Sequence, residues 1–273
     1  MGFINKLRSR WAEADTLLCV GLDPDPSKFP AHLAGDPDRL FRFCREIADA
    51  TAEFACAFKP QIAYFSAHAG GEEALARLIA HIHAAHPDVP VILDAKRGDI
   101  GSTAEQYVAE AFVRFNADAV TLNPYMGRDS AAPFLAHAKR GCIFLCHTSN
   151  PGARDFQELV VDGLPLYQRV ARTIASAWNG SGNCALVVGA TFPEELRVIR
   201  ELVGEMPLLV PGVGAQGGDV GAVVRNGRTA DGAGLMINSS RGILYASRGE
   251  DFAQAAARAA RALRDEINRC RKR

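Results

Sequence analysis

Residues 89–96 read VPVILDAK, an apolar, β-branched run that ends in Asp94 and Lys96. A run of this kind without polar alternation is typical of a strand covered on both faces, as in a parallel sheet. Seven further apolar runs lie along the chain, and each is followed by a helical pattern. The eight predicted strands are 17–23, 55–60, 89–96, 119–123, 142–147, 185–189, 208–211 and 234–238.

The stretches between the strands have the spacing of apolar residues that predicts helices. We expect these helices at 38–54, 72–86, 103–116, 130–139, 164–178, 193–203, 219–226 and 251–270. Eight strand–helix repeats without a linker predict an α/β fold, a single (β/α)8 TIM barrel that spans residues 1–273 as one catalytic domain. A doubly wound sheet is the alternative, because one sequence does not reveal strand order.

The chain is electrically balanced, with 31 basic and 31 acidic residues. Without a net field, we expect no binding of nucleic acid or of an anionic membrane surface, and an anionic small molecule needs a local site. No run of 18 apolar residues is present, so no membrane span is expected.

The seven cysteines lie mostly inside apolar runs. Buried, reduced thiols are expected there, and with no secretory signal they indicate a reducing compartment, the cytoplasm. Cys142, Cys146 and His147 suggest a metal site, but residues four apart on a strand are too distant to share one zinc ion. No metal is therefore expected, and His147 is interpreted as a structural histidine under a strand end rather than a catalytic base.

Polar side chains follow seven of the eight predicted strands at their C-terminal ends, where barrel enzymes build their active sites. They are Asp23, Lys59, Asp94 with Lys96, Asn123, Thr148 with Ser149, Gln216 and Arg241. This constellation predicts an enzyme whose site lies at that end of the barrel.

The most informative segment is 94–99, DAKRGD. Side chains two apart on a strand share a face, so Asp94 and Lys96 are expected to point together toward the barrel mouth. Lys59 and Asp99 would complete an alternating array of lysines and aspartates that keeps Lys96 charged. A fixed ammonium beside carboxylates stabilises a developing carbanion and then donates a proton to it. The alternative is an ordinary salt-bridge network at the barrel rim.

Two segments near the C-terminus predict a phosphate site, which barrels usually build after strands seven and eight. Residues 211–218, PGVGAQGG, form a glycine-rich loop whose backbone N–H groups can approach a phosphate, with Gln216 as a further donor. Residues 234–242, GLMINSSRG, supply Arg241, whose guanidinium matches a phosphate. The first loop also matches the dinucleotide motif G-x-G-x-x-G, but that motif belongs at the first βα turn of a doubly wound sheet.

Taken in order, these motifs resemble the orotidine 5′-phosphate decarboxylase family over about residues 17–242. They are Leu22-Asp23, Phe58-Lys59-Pro60, DAKRGDI at 94–100, Ser149, Pro211-Gly212-Val213 with Gln216, and Ser240-Arg241. The segments NPYMG at 123–127 and TSNPG at 148–152 resemble the longer bacterial branch of the family. The resemblance implies a lyase of de novo pyrimidine synthesis that converts orotidine 5′-phosphate to uridine 5′-phosphate, as a homodimer and without a metal or organic cofactor.

The resemblance also implies catalytic roles. Lys96 would protonate the carbon that loses CO2, and Asp94 would face the substrate carboxylate. Asp99, together with Thr103, would extend into the site of the neighbouring subunit and meet the ribose there.

Further residues would bind the substrate by the same resemblance. Asp23 and Lys59 would hold the ribose hydroxyls, and Ser149 the pyrimidine edge. The phosphate would meet Gln216 and Arg241. The remaining expected substrate contacts are Asn123 and Ser240.

Two rival functions share the barrel. One is a Mg²⁺-dependent sugar-phosphate decarboxylase or aldolase with the same Asp-x-Lys-x-x-Asp turn. It would need a further carboxylate at a strand end, whereas the fourth and fifth strands here end in Asn123 and Thr148-Ser149. The other is a barrel that only senses a nucleotide or sugar phosphate. It would be expected to lose Lys96 and retain Arg241, and this chain has both.

Overall fold

Eight parallel strands form the centre of the molecule in a computed structural model that describes residues 1–213 and 218–271. All eight predicted strands are confirmed, with ends that differ by a few residues. Their bounds are β1 Leu18–Leu22, β2 Ala57–Pro60, β3 Ile92–Arg97, β4 Ala119–Leu122, β5 Gly141–His147, β6 Cys184–Val188, β7 Leu208–Pro211 and β8 Leu235–Ser239.

The strands follow one another around a barrel. Each pairs in parallel with its neighbours in the order β2-β1-β8-β7-β6-β5-β4-β3. Two bridges, Phe58 with Val91 and Gln61 with Asp94, then join β2 to β3. The predicted TIM barrel is therefore confirmed, and the doubly wound sheet is wrong because the last strand pairs with the first.

Helices connect the strands on the outside of the barrel. The eight predicted helices are confirmed as α2, α4 to α9 and α11, whereas α1, α3 and α10 were not predicted. The bounds are α1 Phe3–Glu13, α2 Arg39–Thr51, α3 Ala63–Ser66, α4 Gly71–Ala85, α5 Gly101–Val108, α6 Arg128–Leu135, α7 Leu166–Thr173, α8 Pro193–Val203, α9 Val220–Gly227, α10 Arg241–Leu244 and α11 Phe252–Arg271. None of the described helices has both the length and the apolar character that crossing a membrane requires.

The strands lack polar alternation because both of their faces are covered. Every residue of β1 and of β6 is buried, between the barrel interior on one side and helices on the other. The ring of Phe144 on β5, for example, lies 5.3 Å from that of Trp178, in the π-helical segment Ile174–Trp178 that continues α7. Burial on both faces selects apolar side chains at every position of a strand.

Helix α1 closes the N-terminal end of the barrel, opposite the predicted site. Phe3, Leu7 and Trp11 lie four residues apart, on one face of the helix, and are buried. Gly141, the first residue of β5, leaves room for this helix, since a Cβ there would lie 2.3 Å from Cδ1 of Phe3. The helix therefore acts as a plug that covers the lower end of the core.

Replacing Leu7 with alanine tests the plug. Leu7 is fully buried, so the variant should lose about 2–5 kcal/mol of unfolding free energy through lost burial and the cavity left behind. Urea denaturation measures this loss. Asn5→Ala on the exposed face of α1 is the control, and it should change stability by less than about 0.5 kcal/mol. Equal stability of the Leu7 variant and the parent would contradict the assignment.

Candidate active site

A cavity of about 400 Å³ opens at the C-terminal ends of the strands, where the sequence predicted the site. Apolar side chains of β5, β6 and β7 line part of its wall. Its polar lining includes Lys59, Asp94, Lys96, Thr121 and Ser149. Polar groups that converge on a partly apolar cavity are the usual form of a small-molecule site.

Four charged side chains of alternating sign cross this end of β1, β2 and β3. Nζ of Lys59 lies 3.0 Å from Oδ2 of Asp94 and 3.9 Å from Oδ1 of Asp23. Nζ of Lys96 lies 2.6 Å from Oδ1 of Asp94. Asp94 thus bridges two ammonium groups with one oxygen each. The sequence analysis placed Asp99 beside Lys96, at one end of the array. The structure instead adds Asp23 beside Lys59, at the other end.

Because these side chains are buried, each charge is stabilised mainly by its neighbours of opposite sign. Lys59 and Asp94 are only 5% and 7% exposed. Burial opposes the charge on Lys59, but the attraction of Asp94 and Asp23 outweighs it and raises the pKa of Lys59 above its ordinary value. Burial also acts to raise the pKa of Asp94, but Lys59 and Lys96 lower it well below its ordinary value. Both groups are therefore ionised at neutral pH.

Lys96 reaches Asp94 through an irregularity in β3. The register of β3 against β4 shifts after Leu93, so that Thr121 alone faces the three residues 94–96. Lys96 has a φ of +48°, in the left-handed region that residues other than glycine rarely adopt. The prediction that the two side chains meet is confirmed, but regular strand alternation is the wrong reason for it.

The hydroxyl of Thr121 holds this irregular segment in place. It accepts hydrogen bonds from the backbone N–H groups of Ala95 at 3.0 Å and Lys96 at 2.9 Å, and it donates to Oδ1 of Asp94 at 2.8 Å. One buried side chain therefore fixes both the backbone that carries Lys96 and the carboxylate that faces it. The sequence analysis missed Thr121, although a lone polar residue in the apolar run AVTL was a usable signal.

Three buried oxygens near the array have no hydrogen-bond partner among the described residues: Oδ1 of Asp23, Oδ1 of Asn238 and Oγ of Ser240. Gly21 leaves space beside two of them, since a Cβ there would lie 2.8 Å from Cβ of Ser240 and 3.2 Å from Oδ1 of Asn238. Buried polar atoms without a partner in the protein call for water or a bound ligand. Asn238 is the second residue that the sequence analysis missed.

Among the predicted site residues that do not line the cavity are Asp99, Asn123 and Thr103. Oδ1 of Asp99 accepts from the backbone N–H of Ile100 at 2.8 Å, and Oδ1 of Asn123 accepts from that of Tyr125 at 3.0 Å. Thr103 is exposed on α5. Within one chain the structure therefore brings none of the three to the ion array.

The structure describes only part of the predicted phosphate site. Arg241 is exposed at the start of α10, directly after Ser240, and its side chain has no partner among the described residues. Gly212, just after β7, has a φ of +101°, a conformation that favours glycine. Gln216 lies outside the described residues.

His147 lies behind the cavity wall rather than in it. The residue is fully buried, its Nε2 is 3.4 Å from Oε1 of Glu158, and its ring packs against those of Tyr167 and Phe192. Burial lowers the pKa of His147. This environment agrees with its interpretation as a structural histidine.

Comparisons of sequence and of structure with known proteins lead to the same family. The model of the orotidine 5′-phosphate decarboxylase / HUMPS family matches residues 16–259. Orotidine 5′-phosphate decarboxylase of Azoarcus sp. (strain BH72) is 66% identical over 98% of this chain and 99% of that protein. The protein of the same name from Aromatoleum aromaticum is 64% identical over 99% and 100%. Among solved structures, OMP decarboxylase of Leishmania donovani superposes with a TM-score of 0.87 at 39% identity over the full length of both chains.

Replacing Thr121 with valine keeps the shape of the side chain and removes its hydroxyl. Two backbone N–H groups and one carboxylate oxygen then lose a partner, so the free energy of unfolding should fall by about 1–3 kcal/mol. Chemical denaturation measures the change. Thr121→Ser keeps the hydroxyl and is the matched control. Equal losses in the two variants would contradict the role assigned to the hydroxyl.

Proposed function

The chain belongs to the orotidine 5′-phosphate decarboxylase / HUMPS family, and from this premise we propose how its cavity carries out the reaction. The protein is a carbon–carbon lyase that decarboxylates orotidine 5′-phosphate to uridine 5′-phosphate, a step of pyrimidine synthesis. The names of its relatives support this activity and give no support to the Mg²⁺-dependent alternative. We propose that residues 1–273 act as one catalytic domain.

The observation that carries the proposal is the position of Lys96. Its Nζ is held 2.6 Å from Asp94, yet 46% of its side chain remains exposed at the cavity. Lys59, by contrast, is almost fully buried behind the same carboxylate. Lys96 is therefore the more exposed ammonium of the array, and the one assigned to the reacting carbon.

The proposed chemistry is a cleavage followed by one proton transfer. The bond between the pyrimidine ring carbon and the carboxylate breaks, CO2 leaves, and the electron pair stays on the ring carbon. The ammonium of Lys96 stabilises this carbanion, donates a proton to the same carbon and is reprotonated by water. The ring delocalises the charge poorly, so the barrier has to be lowered by ~20 kcal/mol. Preorganised charge is the effect able to supply much of this reduction.

Asp94 has two tasks in this proposal. It holds Lys59 and Lys96 in fixed positions, and it faces the carboxylate of the substrate. Two carboxylates repel each other, and this repulsion falls as the substrate carboxylate becomes neutral CO2. The interaction therefore favours the transition state over the bound substrate, which is the condition for faster chemistry.

The remote parts of the substrate hold it in place. We assign the phosphate to Arg241, Gln216 and the loop 211–218, a placement that the exposed guanidinium of Arg241 supports. Binding energy from a non-reacting phosphate can be used to order the reacting centre. Ser149 borders the cavity and is assigned to the pyrimidine edge, and Asn123 is kept as a further expected contact.

The ribose is assigned to the polar atoms around Lys59. Asp23 and Ser240 each place there an oxygen that has no hydrogen-bond partner among the described residues, and Asn238 adds a third. Hydroxyl groups of a ribose can donate to such oxygens and accept from the Lys59 ammonium. Binding of the sugar would thus give hydrogen-bond partners to buried oxygens that have none among the described residues of the protein.

We further propose a homodimer with shared sites. Asp99 and Thr103 lie outside the cavity of their own chain, as residues that serve a neighbouring subunit must. Three exposed apolar side chains lie nearby. Ile100, which is 53% exposed, follows Asp99 directly in sequence. Tyr125 and Met126, which are 86% and 45% exposed, lie in the loop after β4. Exposed apolar side chains of this size mark an interaction surface when they are grouped.

A cytoplasmic location is also part of the proposal. All seven cysteines are reduced, and six of them are buried. Burial raises the pKa of Cys19 to about 12, so this thiol is inert at neutral pH. Unpaired thiols in these numbers suit a reducing compartment.

Replacing Lys96 with alanine tests its role as proton donor. Turnover of orotidine 5′-phosphate should fall by about 10⁴-fold or more, because both the charge and the transferable proton are lost. Absorbance at the pyrimidine band, in the presence of a chelator, measures turnover, and titration with uridine 5′-phosphate should show that binding persists. Lys139→Ala at an exposed lysine is the control. Near-parental turnover by the Lys96 variant would overturn the assignment.

Mixing two inactive variants tests the shared site. A heterodimer of a Lys96→Ala chain and an Asp99→Asn chain has one site with both native residues. Random exchange in a 1:1 mixture should therefore restore about a quarter of the parental activity. The assay is turnover before and after subunit exchange, with exchange followed by mass spectrometry of tagged chains. No recovery after demonstrated exchange would count against a site built from two subunits.

A further inference from the structure

A cluster of two imidazoles and a carboxylate lies on the outside of the barrel, away from the cavity. Asp49 is near the end of α2, and His81 and His86 are at and just beyond the last turn of α4. These elements precede β2 and β3, so the cluster is at the N-terminal end of the barrel. The reaction proposed above uses none of the three residues.

The three side chains converge on one point. Nε2 of His81 lies 2.7 Å from Oδ1 of Asp49, and Nε2 of His86 lies 2.9 Å from the same oxygen. The three potential ligand atoms all lie within 4.8 Å of one another, and no other group of three such residues is found within 1–213 and 218–271. The side chains are partly exposed, at 42% for Asp49, 28% for His81 and 22% for His86. Ions in solvent can therefore reach them.

The backbone fixes this arrangement in advance. His86 caps α4, with its N–H bonded to the carbonyl of Ile82 at 2.8 Å and its own carbonyl bonded to the N–H of Val89 at 3.0 Å. Its backbone has left the helical conformation, with φ −134° and ψ 61°. On a regular helix, side chains share a face when they are three or four residues apart. His86 is five residues after His81, and the turn at the end of α4 brings its side chain to the same carboxylate oxygen of Asp49.

Nearby cations are already neutralised. The ring of Phe41 stands edge-on to His81 at 6.4 Å, and the guanidinium groups of Arg77 and Arg45 lie over Phe41. Arg77 pairs with Asp38 at 2.8 Å, and Arg45 with Glu46 at 3.6 Å. The field at the cluster is therefore set mainly by the carboxylate of Asp49.

We propose that Asp49, His81 and His86 form a surface site for a divalent transition metal of the Zn²⁺, Ni²⁺ or Co²⁺ type. Imidazole nitrogen with one carboxylate oxygen is a donor set that suits these ions and not Mg²⁺ or Ca²⁺. A tetrahedral ion needs ligand atoms about 3.3 Å apart at bond lengths near 2.0–2.1 Å. The two distances from imidazole nitrogen to carboxylate oxygen, now 2.7 and 2.9 Å, would therefore lengthen by about half an ångström. Three protein ligands leave the remaining positions to water.

The test is metal binding by the full-length, untagged chain after dialysis against a chelator. Calorimetric titration with Zn²⁺ should show one ion per chain in the parent. His81→Asn and Asp49→Asn should weaken Zn²⁺ binding by about 10-fold or more. Replacing a residue that only hydrogen-bonds a metal ligand already lowers metal affinity by about that factor. His68→Asn, a partly exposed histidine outside the cluster, is the matched control and should bind like the parent. The proposal would be overturned if both cluster variants bound Zn²⁺ as tightly as the parent, or if the parent did not bind Zn²⁺.

A second measurement needs no variant. In the parent chain, Zn²⁺ should shift the imidazole NMR signals of His81 and His86 and leave those of His68 and His147 unchanged. Uniform shifts, or shifts only at other histidines, would overturn the site. Decarboxylation should continue at the same rate with the ion bound, because the cluster and the cavity lie at opposite ends of the barrel.

Discussion

A carboxylate held between two ammonium groups is the interaction on which the rest of the active site depends. Asp94 is buried and bonds Lys59 on one side and Lys96 on the other. Removing one partner from a buried ion pair costs about 3–5 kcal/mol, because the remaining charge is left without compensation. The charges of the site therefore stabilise one another, and Lys96 is the more exposed of the two ammonium groups at the cavity.

The barrel supplies what this interaction needs. Strands β1, β2 and β3 end at the same rim, so Asp23, Lys59 and Asp94 meet without any loop having to carry them. Lys96 belongs to the irregular end of β3, where Thr121 anchors the backbone from the neighbouring strand. A rigid sheet with a local departure from regularity in β3 thus positions a proton donor, while α1 closes the opposite end of the core.

Much of this architecture could be predicted because each strand and helix has a recognisable pattern of apolar residues in its own segment of the sequence. Strands covered on both faces read as apolar runs, and the rule that barrel sites lie at strand ends selected Lys59, Asp94 and Lys96. Relations between distant strands could not be read in the same way. The shifted register of β3 against β4 made Thr121 important. The closeness of β1 to β2 added Asp23 beside Lys59, at the opposite end of the array from the place expected for Asp99. Asn238 matters only because β8 returns to lie beside β1.

The most direct test of the account is a crystal structure of the protein with uridine 5′-phosphate bound. The account predicts that Nζ of Lys96 lies about 3–3.5 Å from carbon 6 of the pyrimidine ring, the distance from which a proton can be transferred. It also predicts that Asp94 still bonds both Lys59 and Lys96 in the complex. A Lys96 side chain turned into solvent, with another group facing carbon 6, would contradict the central claim.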